Sequence, residues 1–289
     1  MIIVTENKKY EKNSAFTLVE VLITVIIIGI LAGLMALSFG SSTETAERTA
    51  CLGDRRTIKS AYYVERAEQG GSFGVALERA MRQFTKGNAL TSDDVMATYD
   101  GICQAGGVYI ITESDEGDGK LGIMCTIQGH EGEDLYGWAR LRLFADAINK
   151  ILKLNGSAKQ DAINKLLGDG VNIGGSVNTN ISDALLEKMG GWPKWEKDDS
   201  LYVHPHFLNG NGEVIYFANG DKNAVTGWSA KAIYYNGQWY QKVDANGKVV
   251  SVGVSAIFQD GSAADALSRI KFLDQNGNIN EADGWQPVP

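Results

Sequence analysis

The hydrophobic pattern of the chain is uneven, with one long apolar run near its beginning. From Phe16 to Phe39 the sequence reads FTLVEVLITVIIIGILAGLMALSF, in which Glu20 carries the only charge. A helix rises about 1.5 Å per residue, so a run of this length can cross a bilayer. The pattern therefore predicts a segment that is inserted in a membrane at some stage.

The helical pattern continues beyond the apolar run. A stripe at roughly helical spacing is formed by Leu52, Ile58, Ala61, Tyr62 and Val64. Gly70 and Gly71 follow, and glycine favours the left-handed conformation that ends many helices. We expect one helix over residues 16–69, apolar over 16–39, whose second half packs against a sheet.

Short helical patterns and a hairpin pattern come next. The helical patterns are GVALERAMRQF, ending at Phe84, and SDDVMATY, with Ser92 as the expected N-cap. The segments GGVYIITE and KLGIMCTIQ are rich in β-forming residues and are separated by acidic glycine turns, which predicts an antiparallel hairpin. Residues 70–134 are thus expected to form a first head domain.

The remainder, residues 135–289, repeats the order of helices followed by strands. Apolar residues at helical spacing predict a helix over about residues 135–154. Ser157 and Gln160 form a capping-box pattern for a second helix through Leu167, and Ser182 is the expected cap of a third through Met189. After Trp192, β-rich segments alternate with Asn-Gly turns at residues 211–212, 236–237 and 246–247, and a last helix is expected over 262–272. The fold class is therefore α+β, with a second α+β domain after the first.

Composition and motifs exclude several functions. The 289 residues include 27 Lys and Arg against 35 Asp and Glu, and a net charge of -8 gives no general attraction to nucleic acid. No G-x-S-x-G, H-E-x-x-H, Walker A or G-x-G-x-x-G motif occurs in the sequence. We therefore expect neither a nucleic-acid partner nor an enzyme.

The polar leader indicates the orientation of the apolar helix. Lys8, Lys9 and Lys12 precede the apolar run, and positive charges are retained on the cytoplasmic side. This predicts a single-pass protein whose N-terminus is cytoplasmic and whose bulk lies outside the cell membrane. A conventional cleaved secretory signal is disfavoured, because its apolar stretch would be shorter.

The junction between leader and apolar run resembles the signature of type IV pilins and pseudopilins, the class III signal peptide. The matching features are a short basic leader, then Phe16, then TLVE and an unbroken apolar helix. The resemblance implies that a prepilin peptidase cuts between Ala15 and Phe16 and methylates the new amine, leaving residues 1–15 as a cleaved leader. Ala15 stands where the family usually has glycine, which implies slower processing.

Glu20 has two interpretations. An unpaired carboxylate in hydrocarbon costs about 2.5 kcal/mol or more. One interpretation is therefore that Glu20 marks an irregular helix start and extends its side chain to the lipid headgroups. The resemblance to pilins implies instead that Glu20 pairs with the free amine of a neighbouring subunit in the fibre core. Phe16 and Glu20 are then the assembly residues.

The resemblance also implies function, location and partners. It implies a pilus subunit, minor or tip-associated because of its second domain, that leaves the membrane for an extracellular fibre and displays its head for adhesion, aggregation or motility. Its partners are other pilins, the prepilin peptidase, the inner-membrane assembly machinery and a host-surface or glycan ligand. The alternatives are a pseudopilin of a type II secretion or DNA-uptake system, and a membrane-tethered surface binding domain.

The cysteines are candidates for a metal site. Cys51 follows the apolar run, Cys103 and Cys125 flank the predicted hairpin, and His130 comes five residues later. If the hairpin packs on the helix these side chains converge, and three thiolates with His130, a carboxylate or water suit a structural zinc ion. A Cys103–Cys125 disulfide with Cys51 free, or three buried thiols, remain open. Some clostridial minor pilins, which this chain resembles, have two pilin-like domains and a cysteine-bound zinc.

Aromatic residues concentrate in the second half of the chain. They are Trp192, Trp195, Tyr202, Tyr216, Phe217, Trp228, Tyr234, Tyr235, Trp239 and Tyr240. Most are expected in the core or in cross-strand pairs, and some are expected at the surface, where they stack on sugars or on a protein partner.

Overall fold

The chain divides into two units, Met1–Ala46 and Glu47–Pro289. The computed structural model describes residues 17–84, 87–113, 120–130, 137–173, 177–208, 213–225, 229–253, 257, 271–274, 276 and 278–289. The leader and nearly all of the helix expected over 262–272 lie outside these residues. The domain boundary expected after residue 134 stays a prediction.

The first element is helix α1, Leu18–Gln69, in agreement with the helix expected over residues 16–69. It ends at Gly70, which has a left-handed φ of 63° and donates its backbone N–H to the carbonyl of Arg66. Glycine adopts this conformation without a Cβ clash, so the prediction that Gly70 ends the helix is confirmed. Among the described residues, no helix has both the length and the hydropathy that crossing a membrane requires.

Helix α2, Phe73–Met81, follows as expected. The helix expected to begin at Ser92 is wrong, because this segment forms a turn and the second strand of a sheet. Asp93 Oδ1 accepts hydrogen bonds from the backbone N–H groups of Val95 at 2.8 Å and Met96 at 2.9 Å. The acid therefore stabilises a turn between two strands in place of the first turn of a helix.

The first sheet is four-stranded and antiparallel, in the order β1-β2-β3-β4. Its strands are β1 Asn88–Ser92, β2 Met96–Asp100, β3 Tyr109–Glu113 and β4 Leu121–Cys125. Strands β3 and β4 are the predicted hairpin, with Tyr109 opposite Cys125 and Glu113 opposite Leu121. The hairpin prediction is confirmed.

Three helices follow the first sheet: α3 Gly137–Leu152, α4 Gly156–Leu167 and α5 Val177–Met189. The helices are confirmed, but both predicted caps are wrong. Asn155 occupies the N-cap position of α4, and the side chain of Gln160 donates to the carbonyl of Val171 instead of reaching back to the helix start. Ser182 lies inside α5 and is fully buried.

The first sheet is covered on both faces. On one face Tyr109 and Ile111 pack in a core with Ile58 of α1 and Leu77 of α2. On the other face Ile110 belongs to a core that includes buried residues of α3, α4 and α5. Because successive side chains of a strand point to opposite faces, a continuous apolar strand such as β3 is the one suited to this position.

The second sheet is seven-stranded, in the order β11-β10-β9-β7-β6-β5 with the C-terminal strand β13 also paired to β10. Its strands are β5 Lys194–Trp195, β6 Asp198–Leu208, β7 Glu213–Asn219, β9 Ala232–Tyr235, β10 Gln238–Val243, β11 Val249–Val250 and β13 Trp285–Pro287. The short strands β8 Ser229–Ala230 and β12 Val252–Gly253 pair with each other. Antiparallel strands after helices agree with the predicted α+β second half.

One Asn-Gly turn shows why the hairpin prediction succeeds. Asn236 has φ 49° and Gly237 has φ 87°, between strands β9 and β10. Two consecutive residues with positive φ are typical of the type I′ turn that matches strand twist. The turn predicted at residues 211–212 lies outside the described residues.

Candidate functional site

The N-terminal part of α1 exposes an apolar surface. Its side chains are between 48% and 83% exposed, the extremes being Leu31 and Leu18. The exposed residues are Leu18, Val19, Val21, Leu22, Ile23, Val25, Ile26, Ile27, Ile28, Ile30 and Leu31. Exposed apolar patches of this extent mark contact with a membrane or with other proteins.

Glu20 takes part in a capping box at the start of α1. Its carboxylate oxygen Oε2 accepts hydrogen bonds from the backbone N–H and the hydroxyl of Thr17, both at 2.9 Å. In return Thr17 Oγ1 accepts the backbone N–H of Glu20 at 3.3 Å. Within one subunit, Glu20 thus satisfies a backbone donor that the helix leaves unpaired. The sequence TLVE contains this signal, but our sequence interpretation of Glu20 considered only its charge.

The expected processing residues Ala15 and Phe16 lie outside the described residues. Thr17, the residue after Phe16, lies in the N-cap position of α1. The cleavage position therefore rests on the sequence pattern.

The four expected metal ligands converge. The ligand atoms of Cys51, Cys103, Cys125 and His130 all lie within 4.8 Å of one another, and all four residues are buried. The Sγ of Cys103 lies 3.7 Å from Nδ1 of His130. This is the arrangement that the sequence predicts if the hairpin packs on the helix.

Each ligand comes from a different part of the first head. Cys51 lies on α1, Cys103 in the loop between β2 and β3, and Cys125 at the end of β4. His130 follows in a turn, where its backbone N–H donates to the carbonyl of Ile127 at 3.0 Å. The cluster therefore connects the helix to the sheet across long sequence separations.

The three thiols influence each other's protonation. Hydrogen bonds from Cys125 and Cys51 lower the pKa of Cys103 strongly. The hydrogen bond with Cys103 in turn raises the pKa of Cys125 and of Cys51. The three thiols therefore titrate as one coupled group, and a bound cation would favour their thiolate forms.

Two residues that the sequence interpretation missed complete the cluster. The buried hydroxyl of Tyr109 donates to the carbonyl oxygen and the Sγ of Cys51, each at 3.2 Å. Burial raises the pKa of Tyr109, which keeps this hydroxyl a neutral donor. Gly107 lies against the thiols, since a Cβ there would be 2.5 Å from Cys125 Sγ and 3.4 Å from Cys103 Sγ. The Gly106–Gly107 pair before β3 was the available sequence signal for such a close approach.

The donor set fits a tetrahedral zinc ion. Sulfurs bound to zinc at about 2.3 Å lie about 3.8 Å apart, which is compatible with ligand atoms that all lie within 4.8 Å of one another. Three sulfurs and one imidazole nitrogen are a common set of structural zinc ligands. All three cysteines are free thiols, so the alternative of a Cys103–Cys125 disulfide is not formed in the structure.

Comparison with known proteins gives two matches to family models. Residues 11–36 match the prokaryotic N-terminal methylation motif, and residues 166–255 match the Pili PilJ C-terminal domain. Comparisons with curated proteins and with solved structures gave no significant match. The first match covers the end of the expected leader, the expected cleavage position and Glu20. The second covers α5 and most of the second sheet.

Proposed function

This chain is a type IV pilin-family protein, and from that premise we propose that it serves as a minor or tip-associated pilus subunit. It polymerises through α1 and displays its head for adhesion, aggregation or motility, without an enzymatic step. Before assembly it is a single-pass membrane protein with a cytoplasmic N-terminus. Its partners in this proposal are other pilins, the prepilin peptidase and the inner-membrane assembly machinery.

The observation that carries the proposal is the exposed apolar surface of α1. Burying a large aliphatic side chain is worth about 1.5–3 kcal/mol, and the first four exposed residues alone, Leu18, Val19, Val21 and Leu22, outweigh the burial of one charge. A charge at the centre of an apolar helix costs about 2.5–3.5 kcal/mol on insertion scales. Relative to exposure to water, packing of α1 among the helices of other pilins is therefore favourable even with Glu20 in it, and a charge partner for Glu20 improves it further.

The minor or tip position is supported by the size of the head. The described part of residues 135–289 adds three α-helices and a seven-stranded sheet to the first head. A subunit of this size crowds its neighbours if it occupies every position of a thin fibre. One copy at the tip or scattered copies avoid this crowding.

A fractionation experiment tests the proposed function. We expect the chain in fibres sheared from cells, in low amount relative to the main pilin, and absent from them in cells that lack the prepilin peptidase. The control is a cytoplasmic protein, which must stay out of the sheared fraction. Processed chain confined to membranes overturns the pilus role in favour of a pseudopilin, and unprocessed chain at the surface overturns it in favour of a tethered binding domain.

We propose in addition that Cys51, Cys103, Cys125 and His130 hold a structural zinc ion. Bound to these residues, zinc joins α1 to the loop before β3 and to the end of β4 without a disulfide. The hydroxyl of Tyr109 fixes Cys51 in the orientation needed. The support for this proposal is the convergence of three buried thiols and one imidazole.

Removal of zinc is expected to lower the stability of residues 47–289. A ligand at about 100 times its Kd adds about 2.7 kcal/mol, so chelation lowers the melting temperature by about 5–10 °C for a unit of this size. Native mass spectrometry is expected to give one zinc ion per chain. The Cys103→Ser variant is the control, because its melting temperature should not respond to chelator. A metal-free chain that has lost two protons contradicts the proposal and indicates a disulfide.

Replacing Gly107 by alanine is expected to disturb the metal ligands. The new Cβ would lie 2.5 Å from Cys125 Sγ and 2.8 Å from Ile127 Cγ1, closer than atoms pack. Overpacking of this kind costs about 1–3 kcal/mol, and we expect a lower zinc content as well as a lower melting temperature. Gly220→Ala is the matched control, since nothing lies within 4 Å of a Cβ there. Unchanged zinc content in the Gly107→Ala variant contradicts the assigned role of Gly107.

A further inference from the structure

A group of aromatic rings joins α3 to the second sheet. The ring of Trp138 on α3 lies 4.6 Å from Tyr216, 5.1 Å from Tyr234 and 5.6 Å from Trp239, measured between centroids. Trp239 lies 5.1 Å from Trp195. We call these five residues the aromatic cluster.

The aromatic cluster has a buried part and a partly exposed part. Tyr216 and Trp195 are 3% and 8% exposed, whereas Trp138, Tyr234 and Trp239 are half-buried. Neither the capping box of α1 nor the cysteine cluster uses these side chains. Half-buried rings on a helix and two strands provide a rigid apolar surface with polar edges, as in many ligand sites.

Two charged side chains of opposite sign accompany the rings. Arg142 lies one helical turn after Trp138, and its guanidinium carbon is 5.9 Å from the ring centroids of both Trp138 and Tyr234. Asp146 lies one further turn along α3. Residues four apart lie on the same side of a helix, so Asp146 follows Arg142 and Trp138 along one side of α3.

Two buried polar atoms of the cluster have no hydrogen-bond partner among the described residues. They are the hydroxyl oxygen of Tyr216 and Nε1 of Trp195. Burial raises the pKa of Tyr216 well above its usual value, so the hydroxyl stays neutral. Buried polar groups in proteins are almost always paired, so these two atoms mark a polar site inside the aromatic cluster.

The charges restrict the class of ligand. A cationic ligand is opposed by the positive charge of Arg142, which lies beside the rings of Trp138 and Tyr234. An anionic ligand is opposed by Asp146 and by the net charge of -8. A neutral sugar has an apolar C–H face for the half-buried rings, and its hydroxyls can accept from Arg142 and donate to Asp146.

We infer that the aromatic cluster, with Arg142 and Asp146, binds a neutral glycan. The inference deepens the proposed function, because an adhesive head exposed outside the cell is where such a site would act. Binding itself depends only on the folded head. It can therefore be measured separately from fibre assembly.

The test is a titration of residues 47–289 with soluble neutral oligosaccharides, namely glucose, mannose, galactose and N-acetylglucosamine oligomers, followed by tryptophan fluorescence. We expect a saturable change with at least one of them and about tenfold weaker binding in the Trp239→Ala and Arg142→Gln variants. Tyr240→Ala is the matched control, because Tyr240 lies on the same strand but packs in a different core. Its binding should not change.

Three results overturn the inference. They are no response to any neutral oligosaccharide, unchanged binding in the Arg142→Gln variant, or binding confined to sialylated probes run in parallel. Circular dichroism melting of each variant separates a lost site from a lost fold, and Trp239→Phe, which keeps a ring, should retain part of the binding. If glycan binding fails while the chain is found in sheared fibres, the pilus role stands and only the glycan site is rejected.

Discussion

Replacing Glu20 by valine is expected to abolish incorporation of the subunit into fibres while leaving residues 47–289 folded. In the proposed fibre core Glu20 pairs with the amine of Phe16 on a neighbouring subunit, and this pair sets the register between helices. Without it, the apolar helix loses the charge pair that favours one axial position over the next. Incorporation is measured by immunoblotting of sheared fibres, and folding by the melting temperature of the purified head.

The Glu20→Gln variant separates the charge from the capping box. Glutamine keeps a side-chain oxygen that accepts the N–H of Thr17, so the cap survives, but the negative charge is lost. We expect Glu20→Gln to fail like Glu20→Val, because assembly depends on the charge. Glu44→Gln, at an exposed position of the same helix, is the control and should enter fibres normally. Normal incorporation of Glu20→Gln would show that Glu20 acts only as a helix cap.

A chain ending at residue 134 is expected not to fold into a stable head. One face of the first sheet, with Met96, Ile110 and Met124, is buried in the same core as α3, α4 and α5. Exposing these and Val108 costs about 6–12 kcal/mol at 1.5–3 kcal/mol each, which equals the whole stability of a typical domain. The ion pair of Lys150 with Asp93 adds little, because partly exposed pairs contribute about 1 kcal/mol or less.

The measurement is thermal and urea unfolding of residues 47–134 beside residues 47–289. We expect a cooperative transition only for the longer chain, and dye binding to exposed apolar surface in the shorter one. A cooperative transition of residues 47–134 would contradict the shared core and would support two independently folding domains.

The elements best predicted from sequence are those whose signal is local. Strands β3 and β4 are short segments of mainly apolar, β-forming residues that lie between turn residues. The Asn236–Gly237 turn has a conformational preference of its own. The helix predicted from Ser92 is wrong because a serine followed by two acids is as typical of a turn as of a helix start. Two contacts favour the turn and strand over a helix. Asp93 Oδ1 accepts hydrogen bonds from the backbone N–H groups of Val95 and Met96, and β2 pairs with β3.

The metal site was predictable in its ligands but not in its surroundings. Convergence of Cys51, Cys103 and Cys125 followed from one assumption, that a hairpin packs on a helix. The roles of Tyr109 and Gly107 depend on contacts across up to 58 positions of the sequence, for which no local pattern exists. Trp138 was likewise predicted as one apolar position of a helix, and only the tertiary structure joins it to the rings of the second sheet.

Mass spectrometry of the N-terminal peptide in sheared fibres and in membranes tests the pilus role most directly. We predict a peptide that begins at Phe16 with a methylated amine in the sheared fraction, because residues 11–36 match the methylation motif and the resemblance to pilins implies a cut between Ala15 and Phe16. An intact Ala15–Phe16 bond in the mature surface protein would contradict the proposed function.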